Sequence, residues 1–139
     1  MLAILARAAA QLPRPRERAP AIRRVARAKL ARAALQYMDR EVLQGPTIHG
    51  MAAALGTTTR AVEVAVKHEL GIAPSRYLLL KRLHAVRRLL ARGATRVTVA
   101  AFDCNFEHLG RFAHQYRQLF GELPSQTLRA ARERACRLP

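Results

Sequence analysis

Phe106-Glu107-His108-Leu109-Gly110-Arg111-Phe112-Ala113-His114-Gln115-Tyr116-Arg117-Gln118-Leu119-Phe120-Gly121-Glu122-Leu123-Pro124-Ser125 is the stretch that decides the fold. Phe112, Tyr116 and Phe120 recur at every fourth position, the spacing of a helix that buries one stripe, so they read as core. The pattern predicts a helix from His108 to Phe120 that stops at Gly121, and a final helix from Pro124-Ser125 to about Cys136. Upstream it predicts a short helix around Val97 to Cys104, then a tight turn at Asn105-Phe106. Asparagine is the non-glycine residue best suited to left-handed backbone, which such a turn requires. Ala101 supplies the small contact between the two helices, and Phe112 and Tyr116 anchor the second. Short helix, tight turn and longer helix make a helix-turn-helix unit.

The same punctuation occurs once more, earlier in the chain. Thr47 caps a short helix from Ile48 to Leu55, which ends at Gly56, and Thr57 or Thr58 caps a helix running to about Leu70. Gly71 closes that helix, and Pro74-Ser75 opens a long one through Arg92, ended by Gly93. Ala52, Gly56, Val62 and Val66 are the small contact, the turn and the anchors of this unit. The two units agree in punctuation more than in residue identity. On the long helix Leu79, Leu83, Val86 and Leu90 form one apolar stripe, with Arg76, Lys81, Arg82, Arg87 and Arg88 on other faces. Ahead of all this, Ile22, Val25, Ala26, Leu30, Ala33 and Tyr37 predict a helix from about Ala21 to Gln44, stopped by Gly45-Pro46. Arg23, Arg24, Arg27 and Arg32 read as its solvated face. Pro13, Pro15 and Pro20 are expected to interrupt any helix in the first twenty residues. No strand pattern appears. The expected fold is all-α, with about seven helices in two helix-turn-helix subdomains joined by a long linker helix. Its divisions are a flexible tail over 1–20, a first subdomain over 21–74, a linker helix over 75–92 and a second subdomain over 93–139.

Lys and Arg number 25 against 9 Asp and Glu, a formal charge of +16 on 139 residues. Such an excess favours a polyanionic partner, and both nucleic acid and an anionic membrane surface qualify. Cys104 and Cys136 are too few and too unpatterned for a disulfide framework or a zinc site, and read as reduced structural thiols in a cytoplasmic protein. No apolar run approaches the length that crosses a bilayer. Met1 to Ala10 is apolar but carries Arg7 and lacks a basic leader, so it is a poor signal peptide. Paired carboxylates, a nucleophile with a histidine, a phosphate-cradling loop and metal-spaced ligands are all missing from the pattern. An enzyme is therefore not expected, and neither is a cofactor or a metal.

The Phe106 to Phe112 run, with Tyr116-Arg117, Phe120-Gly121-Glu122, Pro124-Ser125 and Leu128-Arg129, closely resembles the C-terminal DNA-binding domain of AraC/XylS-type bacterial transcription regulators. Gly56 to Arg60, Leu70-Gly71-Ile72-Ala73-Pro74 with Tyr77, and Arg82-Leu83 with Arg87-Arg88-Leu89-Leu90 match that family's first unit and linker helix. The resemblance covers about residues 21 to 135. Asn105 stands at the family's usual turn glycine. Val66 replaces a typical Phe and Val86 a typical Ala, which reads as a repacked first core. Val64 stands where members often carry a polar or basic reader, so the first unit is expected to add affinity more than specificity.

The resemblance implies sequence-specific binding to double-stranded DNA, each recognition helix reading one of two adjacent major grooves. It places Thr58, Thr59, Arg60 and Glu63 in the first groove and Leu109, Gly110, Arg111 and His114 in the second. Arginine can fork onto guanine, glutamate can accept from cytosine, and leucine can touch a thymine methyl. Lys67, Arg117, Gln118 and Ser125 are expected at phosphates, and His108 as a cap or phosphate neighbour. The opposing reading gives Arg60 and Arg111 only caps or ion pairs with neighbouring helices. About eighteen residues of linker helix span roughly 27 Å, and with flanking turns roughly the 34 Å between grooves. A monomer then suffices, working by placing RNA polymerase, in the cytoplasm on the nucleoid. The alternative is a non-specific nucleic-acid or anionic-membrane binder, which explains the charge but not the doubled motif. Relatives usually carry a sensing domain ahead of this part, so the chain is expected either to act without a ligand or to be a shortened relative.

Overall fold

The computed structural model describes residues 15–93 and 96–137, the first five as backbone only. Among them are seven α-helices and no strand. They are α1 (Pro15–Glu41), continued by a 3-10 turn at Val42–Gln44, α2 (Ile48–Ala54), α3 (Thr59–Leu70), α4 (Pro74–Ala91), α5 (Val97–Asp103), α6 (Leu109–Phe120) and α7 (Pro124–Arg137). The ends follow the capping chemistry of the sequence. The Thr47 side chain accepts from the Gly50 amide and the Thr58 side chain from the Ala61 amide, each satisfying a donor that the first helical turn leaves open.

The core lies in two clusters. In the first, Ala34 and Met38 of α1, Met51 and Ala52 of α2, Val62 and Val66 of α3 and Leu78 of α4 are buried together. The second joins Leu83, Val86 and Leu90 of α4 to Ala100 and Ala101 of α5, Phe112 and Tyr116 of α6 and Leu128 of α7. Helix α4 feeds both, Leu78 to one and the Leu83–Val86–Leu90 stripe to the other, while Leu79 is partly buried against the second. Ala52 and Ala101 have almost no exposed surface, and each lies in the core cluster of its own unit.

Four expectations are corrected. Helix α1 begins at Pro15 and runs through Pro20, six residues ahead of the expected start. A proline inside a helix removes one amide donor, and here Pro20 is exposed and lies in the second turn of α1. The rest of the expected tail, residues 1–14, lies outside the described residues. Second, Ile22 and Val25 are 65% and 52% exposed, not packed. Of the expected solvated face, Arg27 is half-buried and hydrogen-bonded to His68, and full burial along α1 starts only at Ala31, so residues 20–26 overhang the bundle. Third, Val86 packs in the second core and not the first; only Val66 changes the first. Fourth, Cys104 is buried but Cys136 is exposed on α7, so only Cys104 is a structural thiol. Burial is the main cause that raises the Cys104 thiol above its ordinary pKa, which keeps it protonated and inert.

Candidate nucleic-acid interface

Helices α3 and α6 are each twelve residues long, and each presents one buried and one open face. On α3, Val62, Ala65 and Val66 turn inward. Arg60, Glu63, Val64 and Lys67, spaced three and four apart, are exposed on the opposite side. On α6, Phe112 and Tyr116 are buried, while Gly110, Arg111, His114, Arg117 and Gln118 are exposed. Both helices carry the partial positive charge of their N-termini, and α6 has no acidic residue along its length.

The structure bears on Arg60 and Arg111, for which the sequence left two readings open. Among the described residues neither Arg60 nor Arg111 makes a hydrogen bond or an ion pair. They are not caps, and both heads are available to an outside partner. Other expected readers are modified. The Thr58 hydroxyl is occupied as the α3 cap, accepting from Ala61 N at 3.2 Å. Thr59 is half-buried. Leu109 is also half-buried and packs against the second core, so it offers only part of its side chain. His108 holds the N-cap position of α6 but makes no side-chain cap bond. Ser125 is exposed at the start of α7, in a shallow groove with Arg129, Arg132 and Arg137.

Helix α4 adds residues that the sequence reading left unassigned. Ser75, Arg76 and Arg82 share a cleft of about 540 Å³ with His108, Arg111 and Gln115. Arg76 is exposed there, beside α6. Arg82 lies deeper: its Nη1 donates to Asn105 O at 3.3 Å, and its guanidinium covers the Phe106 ring at 5.5 Å. Burial lowers its pKa below the ordinary arginine value. The signal for Arg76 was its place just after Pro74-Ser75, at a helix N-terminus. No periodicity could have shown that this end of α4 adjoins α6.

A tether holds α6 on the rest of the second unit. Thr127 Oγ1 donates to Glu122 Oε1 at 2.7 Å, which leaves it to accept from Tyr116 OH at 2.9 Å. Arg87 of α4 completes it, 3.6 Å from the Glu122 carboxylate and over the Phe120 ring at 4.5 Å. Among the described residues no group of three or more His, Cys, Asp or Glu could hold a metal. No helix among them is long and apolar enough to cross a membrane.

Comparison with known proteins agrees with this geometry. A family described as a helix-turn-helix domain matches residues 51–130, from α2 into α7. A probable AraC family transcriptional regulator from Rhodopseudomonas palustris has a similar solved structure, with 35% identity and a TM-score of 0.70 over 74% of this chain and 97% of that one. The chain belongs to the AraC family of transcriptional regulators. As a member of the AraC family it is a DNA-binding, transcription-regulating protein of bacterial type, in a family of regulators and not of enzymes. The probable thc operon regulatory protein of Rhodococcus erythropolis is 34% identical over 103 residues, 72% of this chain and 31% of that protein. The XylDLEGF operon transcriptional activator 2 of Pseudomonas putida is 33% identical over 97 residues, 68% of this chain and 62% of that protein. This AraC-family chain thus spans about a third of the first and under two thirds of the second.

Proposed function

We propose that the chain recognises a specific double-stranded DNA site as a monomer, with α3 and α6 entering two successive major grooves on one face of the duplex. The observation that carries this reading is the pair of uncommitted arginines, Arg60 and Arg111, one near the start of each recognition helix. A guanidinium without an internal partner can form the bidentate pair with guanine that dominates major-groove readout. Glu63 and His114 stand one turn further along the same faces and supply the neighbouring base contacts. Thr59 and Gly110 define how closely each helix start approaches the bases, and Leu109 offers its exposed part to a thymine methyl. Lys67, Arg117, Gln118 and Ser125 bind phosphates, joined by Arg76 from α4.

The eighteen residues of α4 span about 27 Å, and the turns at its ends extend this toward the 34 Å groove repeat. The two helix-turn-helix units act as subdomains on one linker, so a second copy is not needed to read two half-elements. The module works by position, holding RNA polymerase at or away from a promoter in the cytoplasm.

Selection of bound duplexes from random DNA tests the reading. The expected product is a site of two half-elements about 10 base pairs apart. Arg60→Ala relaxes one half-element and Arg111→Ala the other, each losing roughly 5- to 100-fold in affinity for the selected site. Equal affinity for every duplex would overturn the proposal. So would retention on anionic vesicles that DNA fails to reverse.

A further inference from the structure

Asn105 is the only non-glycine residue with positive φ among those described, at 60°. Glycine would take that backbone at no steric cost, so the conformation alone gives no reason for a side chain here. The structure shows what the side chain does. Its Nδ2 donates to the carbonyl of Leu43, 62 positions away in the 3-10 turn that ends α1. Carbonyls at the end of a helix lack partners within it, and this amide caps one from the other half of the molecule. The contact is close: a Cβ on Gly45 would meet the Asn105 amide carbon at 3.3 Å. Gly45 itself has a φ of +68°, so both the backbone and the space favour glycine there. On the other side Arg82 Nη1 donates to the Asn105 carbonyl, tying the same turn to α4.

We infer that Asn105 is a positioning residue, a latch that fixes the rotation of the second recognition helix relative to the first. The inference rests on the two-groove reading above. Helix α4 alone is a single rod between the two units, and a rod resists bending better than it resists twist of what hangs from its ends. A second, off-axis tie removes that freedom. Asn105 lies four residues ahead of α6, while Leu43 extends α1, which packs along α3. The latch therefore closes a second path, α3 to α1 to Leu43 to Asn105 to α6, beside the path through α4. One base pair of DNA turns by roughly a tenth of a helical repeat, so a fixed rotation between the units becomes a preferred spacing of half-elements.

Two full-chain variants test this. N105G keeps the turn conformation and removes the amide; N105D keeps the shape but cannot donate to the Leu43 carbonyl. Residual dipolar couplings on the DNA-free chains report the relative orientation of the two units. Affinity is then measured for the duplex that the wild-type chain enriches from a random pool, and for versions with one base pair added or removed between half-elements. Both variants are expected to melt cooperatively, to show a broadened inter-unit orientation, and to lose roughly two- to tenfold of the wild-type spacing discrimination, the scale of one neutral hydrogen bond. The added charge of N105D lowers every affinity alike and cancels in that ratio. Unchanged orientation and an unchanged spacing profile in both variants would overturn the latch. A wild-type chain indifferent to spacing would instead overturn the two-groove reading, and because the orientation is measured without DNA, the two failures are distinct.

Discussion

Gly110 stands in the first turn of α6, and apart from its chain neighbours and the adjoining backbone of its own helix, a Cβ built on it would meet nothing within 4 Å. Its φ is not in the left-handed region, so neither backbone nor packing asks for glycine. Within a helix glycine costs up to about 1 kcal/mol relative to alanine. On the proposed reading, a residue that the fold does not need, on the exposed face next to Arg111, is explained by close approach of a base edge. Gly110→Ala is therefore expected to hold or raise the melting temperature while weakening binding to the selected duplex several-fold or more. Calorimetry and a fluorescence anisotropy titration on the same preparation separate the two effects. Undiminished binding would show that the DNA stays clear of this turn. Thr58 makes the opposite point: its hydroxyl already serves the helix, so the fold alone explains it.

At the scale of the element, what matters is how firmly α6 is held, since an arginine reads a base only from a fixed platform. Tyr116 is fully buried and Thr127 is 6% exposed, so the hydrogen bond between them has no water to replace it. Thr127→Val keeps the shape and strands the Tyr116 hydroxyl. The expected cost is about 1–3 kcal/mol in denaturant unfolding, the penalty of an unsatisfied buried donor. Adding Tyr116→Phe to Thr127→Val is expected to recover part of that loss, since neither group is then left unpaired. A double variant as unstable as the sum of the single ones would show that the two side chains act separately. The helices themselves were legible because their punctuation is local: Thr47, Thr58, Gly71, Pro74, Gly121 and Pro124 each act within a few residues. The pairings between them were not. Asn105 with Leu43 and Arg27 with His68 join residues 62 and 41 positions apart, and nothing in the composition of either segment names the other. Ile22 and Val25 show the same limit from the other side. Their spacing correctly marks a helix face but says nothing about whether another element covers it. The contact residues proposed on α3 and α6 come from family resemblance alone, and the exposure of Arg60 and Arg111 from the structure.

The whole molecule hangs on α4, whose Leu78 belongs to one core and whose Leu83, Val86 and Leu90 belong to the other. Neither core is complete without that helix, so the two halves are expected to unfold in one transition. The dependence of that transition on pH has a definite sign. Burial, as the largest cause, raises the pKa of Cys104, Tyr116 and Tyr77 above ordinary values of 9.0, 10.0 and 10.0, and the Asp39 hydrogen bond is the second cause for Tyr77. Lys81 is raised above 10.5, chiefly by its hydrogen bond to Asp39, though its exposure makes that contribution small. In each case the unfolded chain loses its proton at a lower pH than the folded one. The native state then binds more protons, and stability falls as pH rises. Their combined contribution is whole below pH 9.0 and declines as pH passes 10.0 and 10.5. Arg82 shifts the other way, its pKa lowered chiefly by burial. Circular dichroism melts are therefore expected to hold a level midpoint from neutral pH to about 9, then drop steadily, with a single transition throughout. A midpoint that stays level past pH 10.5 would mean that these groups are not sequestered as the structure has them. Two separated transitions would mean that α4 does not bind the halves into one cooperative body, and a rigid two-groove reader would then need the bound DNA to supply its geometry.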